Sequence, residues 1–296
     1  MEASILIVSR NRKAELQKTL SILENYISKE RHEIRVFLDG VSDGSEELER
    51  IFPWVHWDGS EETLGASRAR NILYRKAKGE ILFGFDDDAH PLQSDFIKKT
   101  SVIFDAQKNL GIIGFREIKG IFKNDDQIPQ QLLKESEDYF SNEFLGCGFA
   151  IRKEVYDRTR GFPVWIDIYG EEVCVAWETM VEGYDILFTG KVIVNHRVDR
   201  QKRKAVGAGY FRFEKQLKNT TYFYLVYYPF PLLLKKILKL YLHNFRKYAL
   251  RDGKFFKAFF AAFVEVVVHM NNILKYRRPV TKENLRKIKQ LRNPGY

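Results

Sequence analysis

The chain has 296 residues, of which 45% are hydrophobic and 14% aromatic, a composition that excludes a disordered protein and is ample for a packed core. Its net charge of +10 is unevenly divided: residues 1–196 hold 25 Lys and Arg against 34 Asp and Glu, and residues 197–296 hold 24 against 5. This asymmetry predicts an acidic globular part joined to a basic part that meets an anionic partner, either nucleic acid or a membrane surface.

The two cysteines, Cys147 and Cys174, are too few for a disulfide framework, which favours a reducing compartment. The N-terminus reaches an apolar run at once, without the basic and then apolar pattern of a signal peptide. We therefore expect a cytoplasmic protein.

Strands and helices alternate in the first part of the chain. Residues 4–9, SILIVS, are typical of a strand that is buried on both faces. Four apolar residues then recur at helical spacing: Leu16, Leu20, Leu23 and Ile27. A second strand ends at Asp39, and after a capped helix a further helix, SRARNILYRKAKG, precedes the strand EILFGF; we expect Gly79 to close that helix. Such alternation predicts a mostly parallel sheet covered by helices on both sides.

Three consecutive aspartates, Asp86 to Asp88, follow that last strand directly. Ligands of parallel sheets bind beyond the carboxyl ends of the strands, and three predicted strand ends carry polar segments that we expect to converge on one crevice: residues 9–12, 39–43 and 86–88. Because side chains alternate along a strand, Asp86 and Asp88 share one side and Asp87 the other if the strand continues through them. A hard divalent cation, bound together with a substrate diphosphate, gives these repelling carboxylates a purpose. A solvated acidic loop is the alternative interpretation.

Other polar residues near these strand ends suit a nucleotide. A carboxylate at Asp39 can accept a hydrogen bond from the N3–H of uracil or thymine. Arg12, Arg68 and Arg70 can pair with phosphates. Arg68 and Arg70 lie in a predicted helix, where packing or solvation explains them equally well.

Residues 111–197 contain a glycine-rich turn and then a helix that opens on two carboxylates. Gly146 and Gly148 bracket the turn, where the backbone can approach a ligand closely. Glu171 and Glu172 begin the helix, and the helix dipole favours carboxylates in a first turn. Helix capping therefore explains these two residues as well as a catalytic role does.

The basic region combines lysines with aromatic residues. Residues 222–234 form an apolar run of 13 residues, shorter than the roughly 20 that a spanning helix needs. Two stripes at helical spacing follow: Phe255, Phe259, Phe263 and Val267, and Phe256, Phe260, Val264 and Val268. Amphipathic, Lys/Arg-rich helices of this kind fit an anionic membrane interface, although the stripes fit a packed core equally well. We expect no nucleic-acid partner, since no reader motif accompanies the charge.

Together the motifs carry a family resemblance. ILIVSRNR, VFLDGVSDGS, LGASRARN, AKGEILFGFDDDA, GCGFAIRKEVYDRTRGF, YGEEV and VNH follow one another as in family 2 glycosyltransferases, which the sequence resembles over about residues 4–197. The resemblance implies an inverting enzyme with the α/β GT-A fold, a Rossmann-like mixed, mostly parallel sheet flanked by helices. We expect a GT-A domain over residues 1–200, with a nucleotide-binding half (1–110) and an acceptor-binding half (111–200). Residues 201–296 would form the basic, membrane-associated helical region.

The resemblance also implies roles for individual residues. Glu172, or its neighbour Glu171, would take the proton from the acceptor hydroxyl. A divalent cation, Mn²⁺ or Mg²⁺, would be held by Asp88, Asp86 and His196, although His196 fits a structural role as well. The loop that meets the donor sugar and acceptor would be Gly146, Cys147 and Gly148. The nucleotide-sugar would contact Ser9, Arg12, Asp39, Gly65, Arg68, Arg70, Asp86 and Asp87.

These expectations describe a transferase that moves a sugar from a UDP- or dTDP-sugar to a glycan or lipid-linked acceptor at the inner face of the cell membrane. The family usually has Pro-x-Tyr before Asn-Arg, and here Val8, Ser9 and Arg10 stand in those places. This departure supports an alternative, a catalytically inactive GT-A-like protein that binds a membrane surface. A metal-dependent nuclease would use acidic clusters too, but it does not explain VFLDGVSDGS together with the glycine-rich turn.

Overall fold

The computed structural model describes residues 1–134, 136–198 and 208–294. Its described residues divide into two compact units. The first draws on residues 1–134, 136–167, 172–198 and 288–294, and the second on residues 168–171 and 208–287. Parts of the basic region, residues 199–207, lie outside the described residues.

The first unit is built on a nine-stranded sheet. Its strands in chain order are β1 (Ala3–Ser9), β2 (His32–Asp39), β3 (His56–Ser60), β4 (Ile81–Asp86), β5 (Ala89–Pro91), β6 (Leu110–Lys119), β7 (Tyr139–Phe140), β8 (Gly148–Arg152) and β9 (Asp185–His196). They lie in the order β3-β2-β1-β4-β8-β6-β9-β5, with β7 paired to β9. The long ladders among β1 to β4 and between β6 and β9 are parallel, whereas β8 runs antiparallel to β4 and β6. The predicted mixed, mostly parallel sheet is confirmed.

Helices cover both faces of this sheet, and further helices near the C-terminus build the second unit. The helices in chain order are α1 (Lys13–Glu24), α2 (Leu48–Ile51), α3 (Ala66–Lys76), α4 (Phe96–Ala106), α5 (Gln130–Leu133), α6 (Lys153–Arg158), α7 (Glu171–Val181), α8 (Ala208–Tyr227), α9 (Leu232–Asn244), α10 (Gly253–Leu274) and α11 (Lys282–Gln290). Short 3₁₀ turns lie at Ser45–Glu47 and Asp125–Gln127, and a π-helical turn, Phe245–Ala249, follows α9.

The prediction that Gly79 closes the third helix is wrong. Helix α3 ends at Lys76, and Ala77 already has extended backbone angles. Gly79 instead lies against β1, where its N–H donates to Ser4 Oγ at 2.7 Å. A Cβ at this position would collide with the backbone of Ala3 and Ser4, so the glycine is there for close approach between chain segments.

Alternation along the central strands determines which helices each face meets. Odd-numbered residues of β1 and β4 share a core with α1 and α4, as in the edge-to-face contact of Phe83 with Phe96 at 5.1 Å. Even-numbered residues, including Leu6 and Leu82, share the second core with α3, α6 and α7. Full burial of each such side chain contributes about 1.5–3 kcal/mol of hydrophobic stabilisation.

The second unit is held together by aromatic contacts among α8, α9 and α10. Phe213 of α8 lies 5.0 Å from Phe255 of α10, and Tyr241 of α9 lies 5.5 Å from Phe259, measured between ring centroids. The apolar run 222–234 is divided between α8 and α9, which are separated by residues 228–231. None of the described helices is both long enough and apolar enough to cross a membrane.

The two stripes predicted on α10 differ in burial. Phe255 and Phe259 of the first stripe pack within the unit, and only 7% of Phe259 is exposed. Phe263 and Val267 of the same stripe are 47% and 52% exposed, and the second stripe is exposed along its length, with Phe260 at 44%. Core packing therefore accounts only for the first two residues of one stripe.

Candidate active site

The polar strand ends expected to converge do lie at one edge of the sheet. β1 is flanked by β2 and β4 and runs parallel to both. Ser9 pairs with Leu38, next to Asp39, and Val8 pairs with Asp86. The carboxyl ends of three neighbouring strands thus present Ser9, Asp39 and Asp86 along the same edge.

Asp87 points into the protein on the side of α1. Strand β4 ends at Asp86, and the next residues form a turn. Ser9 Oγ donates to Asp87 Oδ2 at 2.7 Å, and Arg12 Nη1 lies 3.3 Å from Oδ1. Burial raises the pKa of Asp87 to about 7, against the opposing charge of Arg12. Ser9 and Arg12, which the sequence predicts to contact the nucleotide-sugar, therefore bind Asp87 in this structure.

Asp86, Asp88 and His196 form a compact group at the end of β4. The short β5–β9 ladder pairs Ala89 with His196 and so brings the imidazole to Asp88. His196 Nε2 lies 3.1 Å from Asp88 Oδ1 and 3.9 Å from Asp86 Oδ2. One ligand atom from each of the three lies within 4.8 Å of the others. Two carboxylates and an imidazole are donors that suit Mn²⁺, and the carboxylates also suit Mg²⁺, so these residues fit a divalent cation.

The second ring nitrogen of His196, Nδ1, is bound by Glu117. His196 Nδ1 donates to Glu117 Oε1 at 2.5 Å, which leaves Nε2 directed at the aspartates. Burial lowers the pKa of His196, but hydrogen bonds with Asp88, Cys147 and Glu117 outweigh it and raise that pKa to about 12. The pKa of Asp88 is well below its usual range because His196 and Arg12 outweigh the effect of its burial. A cation at this group would therefore displace a proton from Nε2.

Glu117, Cys147 and His196 form a second group with metal-ligand geometry. Burial raises the pKa of the Cys147 thiol to about 12. Because metals bind the thiolate, a thiol held in this form is a poor ligand. The group containing both aspartates is the better candidate for a cation.

Arg70 joins the aspartates to Glu172. Residue 86 continues the even-numbered face of β4, which α3 covers, so Arg70 on α3 reaches Asp86 Oδ1 with Nη2 at 2.7 Å. Its Nη1 donates to Glu172 Oε1 at 3.1 Å, and Nη2 also lies 3.3 Å from the Gly146 carbonyl oxygen. The guanidinium is largely buried. The structure thus places Arg70 between two carboxylates of the candidate site.

Glu172 lies against the glycine-rich turn. Glu172 Oε1 occupies the space that a Cβ at residue 146 would take, so the glycine lets the carboxylate approach the turn in this rotamer. Within the described part of the chain, Glu172 Oε2 makes no hydrogen bond. Glu171, the first residue of α7, is buried. Glu172 therefore has the geometry of a proton acceptor in this pair.

The remaining predicted residues lie in two other settings. Asp39 is buried and accepts hydrogen bonds from Thr63 Oγ1 and from the backbone N–H groups of Leu64 and Gly65, at 2.6 to 3.0 Å. Gly65 has φ +88°, a conformation that favours glycine. Arg68 is not brought to the aspartates, since it is exposed and donates to the Val164 carbonyl oxygen at 2.7 Å.

Gly148 has a packing role. It is the first residue of β8, and a Cβ there would lie 2.6 Å from Val194 Cγ2. The sequence predicts that Gly146 and Gly148 let the backbone approach a ligand closely. At Gly146, the group that approaches the backbone is the Glu172 carboxylate.

Three residues that the sequence reasoning missed belong to this region. Glu117 holds His196, and its signal was a carboxylate shortly after the apolar run of β6, residues 110–115. Glu143 carries a pKa raised to about 7 by burial and by the charge of Glu172, and no sequence pattern marks it. Arg197 donates to Thr19 Oγ1 and to the Asp87 carbonyl oxygen, at 2.6 and 3.3 Å, beneath the aspartates. Its position directly after the VNH motif was the available signal.

Comparison with known proteins places this geometry in context. The family model described as glycosyl transferase family 2 matches residues 4–160. An uncharacterized protein from Haemophilus influenzae is 25% identical over 176 residues, which are 54% of this chain and 92% of that protein.

Solved structures share the fold at low identity. The mannosyltransferase PcManGT from Pyrobaculum calidifontis, in complex with GDP-Man and Mn²⁺, is 17% identical with a TM-score of 0.59 over 98% of this chain and 79% of its own. S. aureus TarS 1–349 in complex with UDP-GlcNAc is 13% identical with a TM-score of 0.60, over 98% and 91%. GalNAc-T7 with UDP, GalNAc and Mn²⁺ is 19% identical with a TM-score of 0.55; 67% of this chain aligns, spanning 43% of that one.

Proposed function

The chain belongs to glycosyl transferase family 2, and on this premise we propose that it is an inverting transferase that moves a sugar from a UDP- or dTDP-sugar to a hydroxyl of a glycan or lipid-linked acceptor. One observation carries the proposal. Arg70 binds Asp86, a member of the candidate cation group, and holds it next to a second carboxylate, Glu172. Among the described residues, Glu172 Oε2 makes no hydrogen bond. Donor and acceptor chemistry need these two functions side by side.

The donor side is served by Asp86, Asp88 and His196. A divalent cation held by them would neutralise charge on the departing nucleoside diphosphate. Glu117 fixes the His196 ring, and Arg12 holds Asp88 through Nη2 at 2.6 Å. Arg70 holds the third, Asp86. These contacts preorganise the three ligands, which limits the reorganisation that binding requires.

The acceptor side is served by Glu172. Its Oε1 is held by Arg70, and Oε2 takes the proton of the acceptor hydroxyl as that oxygen attacks the anomeric carbon. The bond from the anomeric carbon to the diphosphate oxygen breaks on the opposite face, and the diphosphate leaves with the electron pair. A single displacement inverts the anomeric configuration without a covalent enzyme intermediate.

Asp39 supports the choice of nucleotide. It lies at the same sheet edge, two strands from Asp86, and a carboxylate there suits the N3–H of uracil or thymine. Its present partners, the Leu64 and Gly65 N–H groups, hold the carboxylate in place. Solved relatives of the fold contain UDP-GlcNAc or GDP-Man, so a guanine nucleotide belongs in the test.

We further propose that the enzyme works at the inner face of the cell membrane, in cell-envelope polysaccharide synthesis, with a catalytic part over about residues 1–200 and a membrane-associated part over 201–296. The charge of the C-terminal third and the exposed stripe of α10 support this placement.

A calorimetric panel tests the function. UDP, dTDP, GDP and CDP are titrated into the full chain with Mn²⁺ or Mg²⁺ and again with chelator. We expect UDP or dTDP to bind only with metal. Asp88→Ala should weaken that binding by at least about tenfold. Loss of a residue that only supports a metal ligand already lowers metal affinity by about 10–100-fold, and loss of a ligand itself should lower it further. Asp126→Ala, an exposed aspartate outside the site, is the matched control and should bind as the parent does.

The opposite result is equally informative. A folded sample that binds none of the four nucleotides would overturn the proposal and favour the catalytically inactive binding protein. Nucleotide affinity that chelator leaves unchanged would remove the cation from the site.

A further inference from the structure

A shallow groove of about 600 Å³ runs along α9 and the π-helical turn of the second unit. Its lining combines cationic side chains with two leucines: Lys235, Leu238, Lys239, Leu242, His243, Arg246, Lys247 and Arg251. We refer to these eight residues as the basic groove. None of them belongs to the candidate active site.

The positive charge of the basic groove is uncompensated. Residues 215–251 contain eight Lys and Arg and no Asp or Glu. Among the described residues, the five Lys and Arg side chains of the groove form no ion pair with a carboxylate. Lys236 is different, since it turns back over the rings of Tyr224 and Tyr228, at 5.7 and 5.3 Å from their centroids. A concave surface with this charge attracts an anion.

The π-helical turn extends the cationic row beyond α9. Phe245 and Tyr248 within it stay packed on α10, with ring centroids 5.4 Å from Phe259 and 5.3 Å from Phe255. Arg246 and Lys247 remain exposed. A π-helical turn accommodates one extra residue, so the chain keeps its aromatic contacts while the cations continue along the outside.

Leucines beside the cations indicate what kind of anion the groove meets. Leu234, Leu238 and Leu242 recur one turn apart and are 61%, 62% and 45% exposed. Each precedes a basic residue or histidine in the chain, so an apolar row runs beside the cationic row. Nucleic acid would leave these leucines in water. At a bilayer surface they enter the acyl boundary while the lysine heads reach the phosphates.

We propose that the basic groove binds the phosphate headgroups of anionic phospholipids. The inference rests on the proposed membrane placement and adds the site and its ligand chemistry. Lys235, Lys239 and Lys247 pair with headgroup phosphates, and Leu238 and Leu242 lie against the first acyl carbons. The groove thereby orients α9 along the membrane plane.

Vesicle sedimentation of the full chain tests this site. Phosphatidylcholine vesicles, with and without phosphatidylglycerol, are compared for three proteins: the parent, a groove variant (Lys235→Gln, Lys239→Gln, Lys247→Gln) and a control (Lys98→Gln, Lys108→Gln, Lys123→Gln). The control removes the same charge from exposed lysines of the first unit. We expect the parent and control to bind only vesicles with phosphatidylglycerol. The groove variant should bind them roughly a hundredfold more weakly, since each lysine near an anionic surface contributes about a factor of five.

Several results would overturn the inference. One is that the parent binds neither kind of vesicle, and another is that the groove variant binds as tightly as the control. A third is that duplex DNA displaces the parent from vesicles, which would make nucleic acid the partner. UDP and dTDP titrations of the same samples distinguish this inference from the proposed function. A groove variant that no longer binds vesicles but binds nucleotide as the parent does has lost only the lipid site. Release by inorganic phosphate at constant ionic strength would also count against a lipid site.

Discussion

Arg70 connects Asp86 and Glu172, the carboxylates that we propose for the donor and acceptor sides of the candidate site. Its two terminal nitrogens bind different carboxylates, Asp86 at 2.7 Å and Glu172 at 3.1 Å. Removal of one member of a largely buried charge network leaves its partners uncompensated, which costs more than the network itself contributes. The fork geometry also fixes the separation of the two carboxylates, since a guanidinium is rigid and planar.

Glu172→Gln should keep nucleotide binding and lose transfer. The amide is nearly isosteric, so it still accepts from Arg70, but it cannot take a proton from the acceptor. We expect the transfer rate to fall by about 10²–10⁴-fold, the range of general base catalysis. Initial rates with a matched donor and acceptor, together with calorimetric UDP affinity, measure the two effects separately.

Glu171→Gln is the matched control for that experiment, since it changes the adjacent residue of α7 in the same way. It should retain transfer if Glu172 is the base. Wild-type transfer by Glu172→Gln, with loss in Glu171→Gln, would assign the base to the other residue of the pair.

Helix α10 shows, at the scale of an element, how two adjacent phenylalanines acquire different surroundings. Phe259 contacts Tyr241 and Phe245 of the neighbouring segment, with Ala258 and Ala262 buried beside it. Phe260, one residue on, is rotated by about 100° and exposed. The two side chains are identical, so the packing partners alone distinguish them.

Phe259→Ala should destabilise the second unit by about 3–5 kcal/mol, because it leaves a cavity where three aromatic rings meet. Phe260→Ala, the neighbouring control, should cost less than about 1 kcal/mol, as expected for an exposed side chain. Urea unfolding followed by far-ultraviolet circular dichroism compares them. Equal destabilisation would show that both stripes are packed.

At the scale of the whole molecule, the last described residues pack on the first unit. Asn142 N–H donates to the Arg292 carbonyl oxygen at 3.0 Å, and its side chain donates to Asn293 Oδ1 at 2.9 Å. Ser141 Oγ adds a contact of 3.2 Å to the same carbonyl oxygen. These residues extend the sheet region by one isolated bridge, between Ser141 and Arg292.

Removal of residues 292–296 should therefore lower the stability of the first unit. The three hydrogen bonds contribute about 0.5–1.5 kcal/mol each, so we expect their loss to lower the free energy of unfolding by roughly 1–4 kcal/mol. A chain that lacks only residues 295 and 296 retains Arg292, Asn293 and the buried Pro294 and should unfold as the parent does. The urea midpoints of both truncated chains are compared with that of the parent. If all three midpoints are identical, the contacts contribute nothing to the free energy of unfolding.

Local patterns predicted much of the first unit. Apolar runs and helical spacing identified β1, α1 and the strand that ends at Asp86, because a strand buried on both faces and an amphipathic helix impose their periods on neighbouring residues. The family motifs drew attention to the aspartates and Glu172, since their proposed chemistry depends on residue type. Alternation did not predict the orientations of Asp87 and Asp88, because the strand ends at Asp86.

The partners of these residues were decided only by the tertiary structure. His196 meets Asp88 through the β5–β9 ladder, and Arg70 meets Glu172 across 102 positions of the chain. The exposure of Phe260 beside the burial of Phe259 likewise depends on where α9 lies. Periodicity is a property of adjacent residues, whereas pairing, burial and charge compensation depend on segments far apart in sequence, and only the folded chain brings those together.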